Sequence, residues 1–139
     1  MYLTFVINMI YSMNKDQRTL KEHVIDKLLL LYLLDKHRID GLTKLQKTIF
    51  FAENSMIQNK IKGFNYNFFR YKHGEFSREL ELDITELMRN KLIAKNDSIQ
   101  TTSVATEILE KIKGILDKNT EILKRIEAVA DYTSAKSLE

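Results

Sequence analysis

Cysteine and proline are absent from this chain of 139 residues, and glycine occurs only four times. The missing cysteines exclude a disulfide framework, a thiolate zinc site and a cysteine nucleophile together. With no proline and few glycines, breakpoints are scarce and each one is informative. No Gly-rich phosphate loop can be drawn from Gly41, Gly63, Gly74 and Gly114, and no serine sits in a GxSxG elbow. The three histidines, His23, His37 and His73, form no i,i+4 metal-ligand pair. Long hydrophobic runs are missing too. The most apolar stretch, residues 1–12, carries Tyr2, Leu3, Phe5, Val6, Ile7, Met9, Ile10 and Tyr11. It falls short of the roughly 20 residues of a membrane helix. It also lacks the basic start and small-residue cleavage site of a signal peptide. It reads either as a β-rich arm or as sequence upstream of a native start at Met13. A cytoplasmic protein with no cofactor and no metal is the expectation.

What is present is a globular balance, 44% hydrophobic and 29% charged, with a net charge of +3. Such a composition supports one domain of ordinary size. Leu20, Val24, Leu28, Leu31 and Leu34 recur at helical spacing over 17–36, and Leu29, Leu30, Tyr32 and Leu33 widen the face into that of a central helix. Gly41 is placed for a turn with positive φ. Leu45, Ile49, Ala52 and Met56 predict a second helix over 43–58, with Thr43 and Gln46 at capping-box spacing. Phe64, Tyr66 and Phe68 alternate with Asn65 and Asn67, a strand pattern over 64–71. Ser77 caps a third helix reaching about Asn90, and Leu92-Ile93, a polar turn at 95–98 and Ile99 read as a small hairpin. Helix, helix, strand, helix, hairpin, helix predicts a mainly α fold with a minor β part: a winged-helix-like domain over 17–103. An arm over 1–16 precedes it and a helical region over 104–139 follows, drawn as a long C-terminal helix.

Ile108, Ile112, Ile115, Asn119, Ile122 and Ile126 repeat at alternating four- and three-residue spacing, with Asn119 at an a position. That is the seam of a two-stranded coiled coil and predicts a homodimer. Leu109, Leu116 and Leu123 widen the same face enough for ordinary core packing, and Asn119-Thr120 can also break the helix. Charge is segregated. Residues 36–73 hold eight basic and two acidic side chains, a net of +6, whereas 75–86 hold one arginine against five acids, a net of −4. Lys44, Lys47, Arg70 and Lys72, interleaved with aromatics, could hold phosphate and stack bases. The acidic third helix, however, stands where a winged helix reads DNA. Asp83 with Glu79 or Glu86 has acid–base spacing on one helix face. Surface acids at this spacing are usually solvated, so no catalytic residue is assigned.

LTKLQKTIFFAEN at 42–54 and FRYKHGEFSRELELDITELMRNKLI at 69–93 resemble the Panacea (SocA-like) domain family of phage-associated proteins and antitoxins. Leu42, Lys44, Leu45, Gln46 and Lys47 match its first block, and Tyr71, His73, Gly74, Phe76, Ser77, Leu92 and Ile93 its second. Glu75 stands where the family has proline, and Asn90-Lys91 replaces the glycine before its final apolar pair. The resemblance implies a helical, non-enzymatic regulatory module that neutralises a partner protein, a toxin, by direct contact. Candidate interaction residues are Lys44, Lys47, Arg70, Lys72, His73, Ser77 and Arg78. The alternative is a dimeric winged-helix transcriptional regulator that binds DNA.

Overall fold

The computed structural model describes Leu3 and residues 16–72 and 74–134; the rest of the N-terminal arm up to residue 15, and His73, lie outside the described residues. Helix α1 spans Leu20–Lys36 and α2 spans Leu42–Gln58. Strands β1 (Phe69–Tyr71) and β2 (Gly74–Phe76) pair antiparallel, and α3 follows at Arg78–Arg89. Strands β3 (Ile93–Lys95) and β4 (Ile99–Thr101) form a second antiparallel hairpin. Helices α4 (Ser103–Lys111), α5 (Lys113–Asp117) and α6 (Thr120–Ser134) complete the chain.

The fold is mainly helical with a minor β part, as its sequence pattern predicts. Ile39, between α1 and α2, bridges antiparallel to Ile99 of β4, with the Ile99 N–H donating to the Ile39 carbonyl at 2.8 Å. Helix, bridge, helix, helix and hairpin is the winged-helix order, with residues 59–77 inserted where a plain helix-turn-helix uses a turn of about 3–4 residues.

Local chemistry explains the boundaries. Thr19 and Glu22 make the capping box of α1: the Thr19 hydroxyl accepts from the Glu22 N–H, and the Glu22 carboxylate accepts from the Thr19 N–H. The box expected at Thr43 and Gln46 does not form. Gln46 is engaged with Ser77 instead, and the N-cap of α2 is Gly41, with extended backbone at φ −175° rather than positive φ. Ser77 caps α3 as expected, its hydroxyl accepting from the Leu80 N–H. Helices α2 and α3 both end in Schellman turns. Ile61 N–H reaches the Met56 carbonyl and Leu92 N–H the Leu87 carbonyl, with Lys60 at φ 58° and Lys91 at φ 60°. Lys91 thus takes the left-handed conformation where the resembled family carries glycine.

One hydrophobic core joins α1, α2, α3, α4 and α6, and Leu116 of α5 packs against it. Leu30, Leu33, Leu45, Ile49, Leu80 and Leu87 meet Ala105, Leu109, Leu123, Ile126 and Ala130 there. The C-terminal region contributes to that core, and it is not one long helix. It breaks at Ile112 and again at Lys118-Asn119, where the Asn119 side chain caps the Ile115 carbonyl at 2.8 Å. The coiled-coil seam is lost with the continuous helix. Ile126 is fully buried in its own core, Ile108, Ile112 and Ile122 are half-buried, and Ile115 and Asn119 are exposed.

Replacing Lys91 by glycine should raise the thermal midpoint, since a left-handed residue with a Cβ costs roughly 1 kcal/mol. Lys91→Val should lower it, and thermal unfolding of both variants followed by circular dichroism checks the pair.

Candidate functional site: a buried ionic cluster and the segment it holds

The side chain of Arg18 is 4% exposed, and all five of its N–H donors are used. Nη1 donates to Asp26 Oδ2 at 2.9 Å and to Asp83 Oδ2 at 2.8 Å. Nη2 donates to Asp83 Oδ1 and Asp16 Oδ2, each at 3.0 Å, and Nε to Asp16 Oδ1 at 3.0 Å. The guanidinium lies over the Tyr66 ring, 5.1 Å from its centroid, and the Tyr66 hydroxyl donates to Asp83 Oδ2 at 2.7 Å. One cation thus ties the segment before α1, α1 itself, α3 and the stretch after α2 into a single cluster.

Three carboxylates from three helices then receive three consecutive backbone amides. Asp26 of α1 accepts from the Asn65 N–H at 2.8 Å, Glu53 of α2 from Tyr66 at 3.1 Å, and Glu79 of α3 from Asn67 at 2.8 Å. This explains a departure from the sequence pattern. The alternation over 64–71 predicts a strand, but only Phe69–Tyr71 pairs with another strand. The amides of residues 65–67 are held by side chains in place of a neighbouring strand, which satisfies groups that burial would otherwise leave unpaired. Phe64 and Tyr66 point into the core. The next anchor is a two-way amide bridge: Gln46 Nε2 donates to the Ser77 carbonyl at 3.0 Å, and the Ser77 N–H donates to Gln46 Oε1 at 2.8 Å.

Burial and like charge set the protonation of these groups. Burial pushes the Asp26 carboxyl up to about 6, against the pull of Arg18 and the Asn65 amides. Burial, with the Asp26 and Glu79 carboxylates beside it, pushes Glu53 up to about 7, opposed by the Tyr66 N–H and Lys62. Asp16, despite the cost of its own burial, is held below the usual carboxylate range by Arg18. Burial and then Asp83 raise the Tyr66 phenol. Glu53 lines a polar cavity of about 400 Å³ together with Arg18, Glu22, Lys62 and Asn67.

The sequence reading treats Asp83 and Glu79 as a solvated face; both are instead buried, at 1% and 7% exposure. Arg18 and Asp26, the centre of the cluster, are missed by it altogether. The available signal was Asp26 itself, an acid set among the apolar residues of α1 that has to find a cation. Ser77, a candidate contact residue, is buried and serves as the α3 cap. The basic candidates are divided. Lys44 lies on the flank of α2 turned to α6, since its carbonyl accepts the Thr48 hydroxyl, which lies 3.1 Å from that of Thr133. The β1–β2 hairpin, with exposed Arg70 and Lys72, belongs to the other flank, where Gln46 meets Ser77 and Phe50 meets Phe68. Lys47 and Arg78 are exposed, and Arg70 lies 3.9 Å from Glu75. Among the described residues no group of histidine and carboxylate side chains could hold a metal ion, and no helix is long and apolar enough to cross a membrane.

The two sequence blocks at 42–54 and 69–93 meet here in space. Leu42, Leu45, Phe76, Leu80 and Ile84 line an apolar pocket of about 150 Å³, with Glu75 and Glu81 among its lining residues. Comparison with protein-family models, curated proteins and solved structures found no match to this chain.

Two outcomes are expected. Arg18→Met should cost about 3–5 kcal/mol, because it leaves Asp26 and Asp83 buried without their cation; urea unfolding measures it. The raised pKa of Glu53 means that the folded chain binds its proton more tightly than the unfolded chain. The stabilisation this gives is complete below the ordinary carboxylate value of 4.5 and is lost as pH rises through about 7. The urea midpoint should therefore fall between about pH 5 and pH 8, and Glu53→Gln should flatten that fall. A midpoint equally steep in the variant contradicts the assignment.

Proposed function

We propose that this protein is a non-enzymatic regulatory module that binds a partner protein through the surface joining α2, β2 and α3, in the manner of a toxin-neutralising antitoxin. The observation that carries the reading is the apolar pocket between Leu42, Leu45, Phe76, Leu80 and Ile84. Leu42 at its edge is 39% exposed, and Phe69 and Leu82 nearby in sequence are 48% and 42% exposed. The same two sequence blocks carry the resemblance to the Panacea family. The partner this surface suits presents an apolar side chain to the pocket, flanked by basic residues that meet Glu75 and Glu81. The internal use of Arg18, Asp26, Asp83, Glu53 and Glu79 agrees with the reading: each is already bonded to a side chain or to the backbone.

The second reading is a DNA-binding regulator in the cytoplasm, and the winged-helix order favours it. The charge distribution opposes it. The exposed residues of α3 include Glu81 and Glu86, the latter paired with Lys27 at 2.9 Å, against Arg78 and Arg89 at the helix ends, so the helix offers no net basic surface to phosphate. Lys44 and the hairpin cations lie on different flanks of α2, which weakens the support for one basic face.

The test is co-expression with the product of the adjacent gene, followed by co-purification of the wild type and of Leu42→Asp. The wild type should retain the partner and Leu42→Asp should lose it by about tenfold or more, since burying an unpaired charge costs more than 1.4 kcal/mol. A labelled random duplex at about 50 mM salt should show no salt-sensitive binding. Duplex binding that collapses at about 200 mM salt favours the regulator instead.

A further inference from the structure

Two cavities adjoin beside the segment that follows α2. The polar one, of about 400 Å³, has Arg18, Glu53, Asn65 and Asn67 in its wall. The other encloses about 730 Å³ between α1 and the α4–α6 region, and is lined chiefly by Ile25, Leu28, Ile112, Ile115, Leu116 and Ile122. Glu22, Lys62, Gly63 and Asn65 line both, so the apolar groove meets the polar cavity at these residues. An apolar enclosure of about 300–1,000 Å³ with a few placed polar groups is the usual form of a small-molecule site.

The polar groups at the junction set the chemistry of the ligand. Asn65 Nδ2 donates to Asp26 Oδ1 at 3.1 Å and to the Gly63 carbonyl at 3.4 Å, which fixes the orientation of the amide. Its Oδ1 is buried and has no hydrogen-bond partner. Buried acceptors in native proteins are almost always paired, so this one calls for a donor. Glu53 accepts the Tyr66 N–H, and no cation is bonded to it among the described residues. The cations close by are already committed. Arg18 spends all five N–H groups on Asp16, Asp26 and Asp83, and Lys62 lies 3.7 Å from Glu22. Lys21, in the groove wall, is exposed to solvent and screened. Asp16, Asp26, Asp83, Glu53 and Glu79 thus gather around one buried arginine, and the surplus negative charge attracts a cation and repels an anion.

We propose that the joined cavities bind an amphipathic amine, with its ammonium at Glu53 and Asn65 Oδ1 and its hydrocarbon body between α1 and the α4–α6 region. An ammonium brings three donors and a positive charge, so it satisfies the open acceptor and the carboxylate together. The hydrocarbon replaces water against walls of isoleucine and leucine. The site does not involve the partner surface at α2, β2 and α3, so the two proposals can fail separately.

Decylammonium chloride below its micelle concentration is the probe, with decanol and decanoate as comparisons. Calorimetry on the full chain should show saturable binding of one amine with a Kd below about 1 mM. Butylammonium should bind at least about a hundredfold more weakly, since each buried methylene is worth roughly fourfold. In methyl-labelled protein the signals of Ile25, Ile112, Ile115 and Ile122 should shift, together with the Asn65 side-chain amide. Glu53→Gln keeps an acceptor for the Tyr66 N–H and should weaken decylammonium about tenfold while leaving decanol unchanged. Ile115→Ser, at a side chain 62% exposed whose loss should spare the fold, should weaken both amine and alcohol severalfold. Decanoate binding as tightly as decylammonium overturns the proposal, as does a Glu53→Gln variant that binds the amine like the wild type. Absence of saturable binding, or shifts confined to residues outside the two cavities, overturns it as well.

Discussion

Burying a guanidinium is the constraint around which this molecule is arranged. Taking a charged group out of water costs several kcal/mol unless every donor finds an acceptor. Arg18 meets that condition only when the segment before α1, α1 and α3 stand where they do, since Asp16, Asp26 and Asp83 take all five of its N–H groups. Tyr66 closes the arrangement through both its ring and its hydroxyl. Buried ion pairs are weak evidence of stability in themselves, because an apolar replacement of equal volume is often as good. Their consequence here is geometric. Sliding any of these elements leaves an unpaired charge in the interior, so their relative positions are fixed to within a hydrogen bond.

The same logic extends to the inserted stretch 59–77. In the winged-helix order a turn joins the second and third helices; here a longer segment must cross the core with its amides satisfied. No neighbouring strand is available over residues 64–68. Asp26, Glu53 and Glu79 substitute for one, each helix contributing a single acceptor. Gathering acids around one arginine leaves more negative than positive charge in a dry region. The raised pKa values of Asp26 and Glu53 follow from that crowding together with burial. Beyond this stretch the β1–β2 hairpin is delivered onto α2, and the pocket of the proposed partner surface exists only because the hairpin arrives there.

Much of the scaffold was legible in the sequence. Apolar period located α1, α2 and α3, the apolar pairs around a polar turn located the β3–β4 hairpin, and Ser77 caps α3 as its position implies. What escaped was long-range pairing, which local patterns do not record. Gln46 looked like half of a capping box and instead bridges to Ser77. Asp83 and Glu79 looked solvated because their helical spacing places acids side by side, yet their partners Arg18 and Asn67 lie 65 and 12 residues away. The heptads at 108–126 were genuine apolar spacing, but breaks at Ile112 and Asn119 fold that spacing onto the molecule's own core. The alternation at 64–68 correctly reported which side chains face inward and wrongly implied a strand partner.

The most direct test is native-state hydrogen exchange at the amides of Asn65, Tyr66 and Asn67 in the full chain. If carboxylates from three helices hold this segment, all three amides should exchange as slowly as those in the middle of α1, opening only with the fold as a whole. Exchange at the rate of an exposed turn residue such as Asp97 would contradict the role assigned to Asp26, Glu53 and Glu79.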